Sequence, residues 1–137
     1  MNESNKKIEA YKRVTDHFLF SECTCPCCDR VKITSGFFRH MKLLERMRQE
    51  LGFPIIINSG YRCPEHNREV NGSLHSWHMN FATDARPAWA KGIDDEEFLR
   101  RLASMHESAL KHDFGGIGEY TTFIHLDMRE EKAQWKG

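Results

Sequence analysis

The sequence carries no surplus of charge: over 137 residues, 20 Lys and Arg balance 20 Asp and Glu. Gripping a polyanion along its phosphates calls for a basic surplus or stripe, so nucleic acid is not an expected partner. No apolar run approaches the roughly 20 residues that cross a bilayer, so no insertion through a membrane helix is expected. The opening MNESNKKIEAYKRV lacks the apolar stretch of a secretion signal, which predicts a chain soluble in the cytoplasm as synthesised, reaching any outside substrate by another route. Repeats, low-complexity tracts and linkers are also missing. At this length one compact domain over 1–137 is expected, acting as a monomer, with core enough to support one site. The compact His-Glu-x-x-His signature of helical zinc sites is absent as well.

Cysteine is present in an odd number, five. Four crowd into ECTCPCCDR as Cys23, Cys25, Cys27 and Cys28, and Cys63 stands alone in YRCPEH. In a reducing compartment such a cluster reads as metal thiolates or free thiols, and in an oxidising one as a loop pinned to Cys63 by a disulfide. Either way it is a structural staple. The second Cys-x-x-Cys pair of a zinc ribbon is missing, which weighs the reading toward no metal there.

Residues 3–15 are compatible with a short helix. In TSGFFRHMKLLERMRQELG, Thr34 and Ser35 can cap a helix that carries Met41, Leu44, Met47 and Leu51 at helical spacing and stops at Gly52. After Pro54, the β-branched run in IIINSGYR reads as a buried strand, ended by Ser59 and Gly60, that delivers Tyr61 and Arg62. PEHNREVNG reads as a short helix, SLHSWHMN as a loop and FATDARP as a strand broken at Pro87. DDEEFLRRLASMHESALKH is a second amphipathic helix, acidic at its start and ending on Lys111 and His112 as the helix dipole favours. GGIGEY reads as a glycine-rich turn. In TTFIHLDMR, Phe123, His125 and Asp127 alternate with Ile124, Leu126 and Met128, the pattern of a strand lining a cleft. The expected class is α+β, with helices packed on a small, mostly antiparallel sheet. His17, His40, His106 and His112 read as ordinary surface or helix residues.

SLHSWHMNFATDARP sets His75 and His78 a helical turn apart with Asp84 downstream, and His125 adds a further imidazole. Catalytic zinc keeps three imidazole or carboxylate ligands and one open position, which either histidine with Asp84 and His125 would satisfy. The alternative is a chance scatter of polar side chains in a chain with eight histidines. Spacing alone leaves both readings open.

INSGYRCPEHN, VNGSLHSWHMNFATD and FIHLDMR resemble, in the same order, the SGYRSxxHN, SxHxxGxAxD and FVHLD segments of the peptidase M15 group. These are zinc peptidases related to D-alanyl-D-alanine carboxypeptidases and to phage and bacterial murein endopeptidases. FSECTCPCC resembles the region preceding this domain in smaller phage-associated members. The resemblance implies a small α+β fold shared with the hedgehog signalling domain, with zinc in a cleft. Counted from Val70, Asn71 and Gly72, it implies His78, Asp84 and His125 as the zinc ligands, and leaves His75 as a neighbour able to hydrogen-bond a ligand or substrate. The group spaces its histidine and aspartate seven apart, whereas His78 and Asp84 are six apart and the glycine of HxxG is missing. A one-residue slip in an extended segment turns a side chain to the opposite face, so the turn must tighten or the site is altered.

The resemblance further implies that Arg62 engages a substrate carboxylate or carbonyl, a task suited to its planar, permanently charged fork; the alternative is a salt bridge to Glu65. Ser76 is expected to hydrogen-bond substrate, His66 and Asn67 to hold the loop, and Trp77, Trp89 and Tyr120 to wall the cleft or fill the core. The position three before the last ligand is Thr122, which cannot act as a base. Glu119, six before His125, resembles the glutamate of the hedgehog-type site and is the expected general base, with Asp127 as runner-up or as a partner that orients a ligand histidine. The implied activity is zinc-dependent hydrolysis of peptidoglycan stem peptides at a bond involving a D-amino acid, by a phage or prophage lysis or tail-associated protein. Two alternatives stand beside it: a non-catalytic module that binds metal or wall peptide, and an intracellular amidase acting on other small peptides.

Overall fold

A computed structural model describes residues 12–137. Two short antiparallel strands, β1 (Arg13–Thr15) and β2 (Phe18–Leu19), precede helix α1 (Ser35–Leu51). Strand β3 (Ile55–Ser59), helix α2 (Pro64–Glu69) and strand β4 (Ala82–Pro87) follow, then helix α3 (Asp95–Leu110) and strands β5 (Gly116–Glu119), β6 (Ile124–Asp127) and β7 (Ala133–Lys136). The main sheet has the order β3-β4-β6-β5-β7, with every pairing antiparallel except the parallel β5–β7. The class is α+β, and the sheet is mixed.

The long helices form where the sequence places caps and an apolar stripe. The Thr34 hydroxyl accepts from the Phe37 amide, and Gly52, at φ 74°, closes α1 with its amide on the Arg48 carbonyl. Asp94 caps α3 by accepting from the Glu97 amide. Phe37, Met41, Leu44 and Met47 of α1 and Phe98, Leu102 and Met105 of α3 are buried with Ala85, Ile117, Ile124 and Leu126 of the sheet. Each of the Phe, Met, Leu and Ile side chains contributes on the order of 1.5–3 kcal/mol, so this layer fixes the sheet against the helices. Antiparallel pairing then presents the alternate residues, Asp84, His125 and Asp127, on the opposite face.

Several elements depart from expectation. Residues 3–11 of the expected N-terminal helix lie outside the described residues, and 13–15 form β1 instead of its last turn. GGIGEY is not a turn: four of its residues form β5, an inner strand between β6 and β7. Its glycines are required by close approach. A Cβ on Gly116 would lie 2.5 Å from the Asp127 carboxylate, and one on Gly118 would lie 2.6 Å from the Trp135 ring. His40 is no surface residue: it is fully buried, its Nε2 lies 2.9 Å from the Thr83 hydroxyl, and burial pushes its pKa down to about 3.

Candidate metal centre

Asp84 on β4 and His125 on β6 are direct cross-strand partners, and directly opposed residues of an antiparallel pair share a face. The Asp84 Oδ1 therefore meets His125 Nδ1 at 3.0 Å. On the other side of β4, the register with β3 shifts between Ile57 and Ser59, which sets Ser59 opposite Asp84. His78 arrives from a 3-10 turn, Trp77–Met79, whose first free amide, that of His78, donates to the Ser76 hydroxyl at 3.2 Å. The Arg62 amide donates to the His78 carbonyl at 2.8 Å and ties this turn to the end of β3. Because residues 77–79 coil instead of running extended, the missing residue before Asp84 does not turn His78 away. Its Nε2 lies 3.2 Å from Asp84 Oδ1.

Hydrogen bonding on the far side of each ring fixes what the near side offers. His78 Nδ1 lies 2.7 Å from the Gly60 carbonyl, which can only accept, so Nδ1 carries the proton and Nε2 presents a lone pair. His125 Nε2 lies 2.8 Å from Asp127 Oδ2, which leaves Nδ1 facing Asp84. Asp127 is fully buried, and Arg129 donates to it from its backbone amide, Nε and Nη2 at 2.6–3.1 Å. Burial alone would raise the Asp127 pKa, but His125 and Arg129 outweigh it and hold the carboxyl well below the usual range. Burial is opposed in the same way at Asp84, whose contacts with His125 and His78 hold it at about 2. The His125 pKa is raised: burial disfavours its charge, and the flanking Asp127 and Asp84 carboxylates prevail.

Two imidazoles and a carboxylate thus aim one ligand atom each at a common point, all within 4.8 Å of one another. With both rings neutral, these are three acceptors that a cation would draw together. Two nitrogens and an oxygen make a donor set that suits zinc, and each histidine has the outer acceptor that ligand imidazoles use to fix their tautomer.

The three ligand atoms open into a cleft of about 420 Å³. Arg62 lines it, with Nη1 donating to Asn67 Oδ1 at 3.1 Å, Nε to the Ser59 hydroxyl at 3.4 Å and Nη2 lying 3.9 Å from Asp84 Oδ2. These partners replace the alternative ion pair with Glu65. Asn67 is buried and also donates to the Ser73 carbonyl, so it holds the loop while it aims the arginine. Ser76 lines the cleft with its oxygen engaged by the His78 amide. Trp77 and Tyr120 wall the cleft, whereas Trp89 lies elsewhere, stacked on Phe98 at 4.2 Å. His75 is exposed at the cleft wall.

Glu119 does not join this cluster. Its register partner is Ile124, not His125, so it points to the helical side of the sheet. There it lines a different cavity with Leu102 and His106, its carboxylate 4.0 Å from His106 Nε2. Asp127 shares the face of the site but is enclosed by His125 and Arg129, which makes it an orienting group with no free edge toward the cleft. Three cleft residues, Ser73, Arg129 and Trp135, were not anticipated. Arg129 lies with its guanidinium 4.8 Å from the Trp135 ring and 5.8 Å from that of Trp77. Its signal was legible in LDMR, where a basic residue two beyond Asp127 shares its face. Trp135 sits on β7 with its indole donating to the Tyr120 hydroxyl at 2.9 Å, and nothing local in AQWK marks it.

A search of the curated proteins finds no match. The family model described as Peptidase M15 matches residues 16–127, a span that contains His78, Asp84 and His125 and both strands that bring the last two together; the chain belongs to the peptidase M15 family.

Proposed function

We propose that this protein is a zinc-dependent peptidase, built on a hedgehog/DD-peptidase-like fold, that hydrolyses peptidoglycan stem peptides at a bond involving a D-amino acid. The observation that carries the reading is the convergence of His78 Nε2, Asp84 Oδ1 and His125 Nδ1, with the Gly60 carbonyl and Asp127 as outer partners of the two rings. Zinc bound there supplies a Lewis acid that polarises an amide carbonyl and makes water a nucleophile near neutral pH.

The chain's own residues supply the rest. Arg62 keeps donors beyond those used by Asn67 and Ser59, and its placement beside Asp84 suits it to orient a substrate carbonyl or carboxylate next to the ligands. Arg129 also lines the cleft, paired to Asp127 behind it, and among the described residues Asp84 is the carboxylate that lines it. Trp77, Tyr120, Phe123 and Trp135 give it apolar walls that displace water from the bond to be cut. With Glu119 on the other face, His75, an exposed imidazole at the cleft wall outside the ligand set, is the residue assigned to carry the proton. The likeness of FSECTCPCC to phage-associated members supports a setting in wall lysis by a phage or prophage.

The test is release of peptides from purified murein by wild type and His125→Ala, with zinc measured in both. Wild type is expected to carry zinc at the histidine site and release wall peptides, with that zinc equivalent and the activity both lost in the variant. A zinc-loaded wild type that leaves murein intact overturns the reading; activity confined to free dipeptides would point to the amidase alternative.

A further inference from the structure

Among the described residues a second group of metal-ligating side chains stands apart from the histidine site. The sulfurs of Cys25, Cys27 and Cys63 lie within 4.8 Å of one another. Those of Cys25 and Cys63 are 3.7 Å apart and those of Cys27 and Cys63 3.4 Å. Cys28 follows Cys27 directly and lines the same cavity as Cys27 and Cys63. Four sulfurs bound tetrahedrally at about 2.3 Å from one ion stand about 3.8 Å apart, close to the distances found here.

The backbone is shaped to hold them. Cys25, Pro26, Cys27 and Cys28 form a Cys-x-x-Cys turn closed on both sides, with the Asp29 amide on the Cys25 carbonyl and the Cys25 amide on the Arg30 carbonyl, each at 2.7 Å. Asp29 takes φ 55°, the left-handed conformation that reverses the chain directly after Cys28. Main-chain donors are aimed at sulfur: the Cys63 amide at Cys25 Sγ and the His66 amide at Cys63 Sγ, both at 3.4 Å. Such bonds favour thiolates over thiols. Arg30, Lys32 and Arg68 line the same cavity as Cys27, Cys28 and Cys63 and offset the negative charge of a thiolate cluster. Cys23 takes no part; it is buried, with its sulfur 3.8 Å from that of Met41. That leaves Cys25, Cys27, Cys28 and Cys63 as candidate ligands and one cysteine in the core.

We propose that Cys25, Cys27, Cys28 and Cys63 bind a zinc ion as a tetrathiolate site that clamps the loop before α1 to the segment carrying Arg62. The missing second Cys-x-x-Cys weighed against metal in the sequence, but the fourth ligand is supplied through space by the chain leaving β3. The inference stands independently of the peptidase reading.

The test uses full-length protein purified under reducing conditions. Wild type is expected to hold about two zinc ions per chain, and His125→Ala and Cys27→Ser/Cys28→Ser about one each. Cobalt-loaded wild type and His125→Ala are both expected to show sulfur-to-metal charge-transfer absorption, which the double serine variant lacks. The proposal is overturned by cobalt-loaded wild type without that absorption, by a single zinc that His125→Ala abolishes, or by a disulfide from Cys63 to Cys25 or Cys27 in the reduced preparation. Two of these readouts need only wild type, so a poorly folding variant does not blunt them.

Discussion

Asp127 illustrates how a residue without access to substrate can still set the chemistry. Its carboxylate holds the proton of His125 on Nε2 and frees Nδ1 for the site. Asp127→Asn keeps the size but can turn an amide N–H toward that nitrogen, so the ring is driven to the wrong tautomer. Zinc affinity, measured by chelator competition, is expected to fall about 10- to 100-fold; an affinity within twofold of wild type would remove the orienting role. Glu119 poses the opposite case. Glu119→Gln is expected to leave kcat within about twofold, whereas His75→Ala lowers it on the order of 100-fold with zinc content unchanged. A collapse of kcat in Glu119→Gln would restore it as the base. The convergence of His78, Asp84 and His125 was legible because each sits in a motif with local spacing. The face of Glu119 was not, since it depends on how the turn from 120 to 123 sets the register of β5 on β6, and that register pairs Glu119 with Ile124.

Elements were read well where period and caps agree, as in α1 and α3, and poorly where tertiary contact decides. The glycines of β5 look like a turn because nothing in GGIGEY announces that Asp127 and Trp135 need the space above them. The β1–β2 hairpin, too short for any pattern, is held by α1: the His17 amide and Nδ1 meet the Glu45 carboxylate at 2.8 and 2.6 Å. Burial acts to raise the Glu45 pKa, yet the donors around it, His17 and Gln49 among them, bring it from 4.5 to about 2. A depressed carboxyl stabilises the fold above its unfolded pKa and loses that contribution as pH falls through the folded value. The contribution is therefore full above about pH 5 and lost between about 4.5 and 2, on the order of 2–3 kcal/mol. Glu45→Gln should lower the neutral-pH melting temperature and flatten its fall across that window, as followed by circular dichroism. An unchanged acid profile would mean that the hairpin is held by something else.

At the scale of the molecule, the main sheet separates two tasks: its helical side buries the core, and its open side carries the candidate metal ligands. The histidine site joins three pieces distant in the chain, namely the 77–79 turn, β4 and β6, which the unfolded chain cannot hold together. Zinc there must stabilise the folded form by mass action, by about 2.7 kcal/mol at a free concentration 100 times Kd. For a chain of this size that corresponds to roughly 10 °C in melting temperature. The thiolate cluster joins the loop before α1 to the start of α2 and adds its own increment on the same principle. Stripping wild type with a strong chelator should thus lower the melting temperature by more than the same treatment lowers that of His125→Ala, whose remaining response comes from the cysteine site alone. Equal shifts in the two proteins would mean that the histidine site contributes no binding energy to folding. A full response in wild type with none in His125→Ala would leave the cysteines without metal.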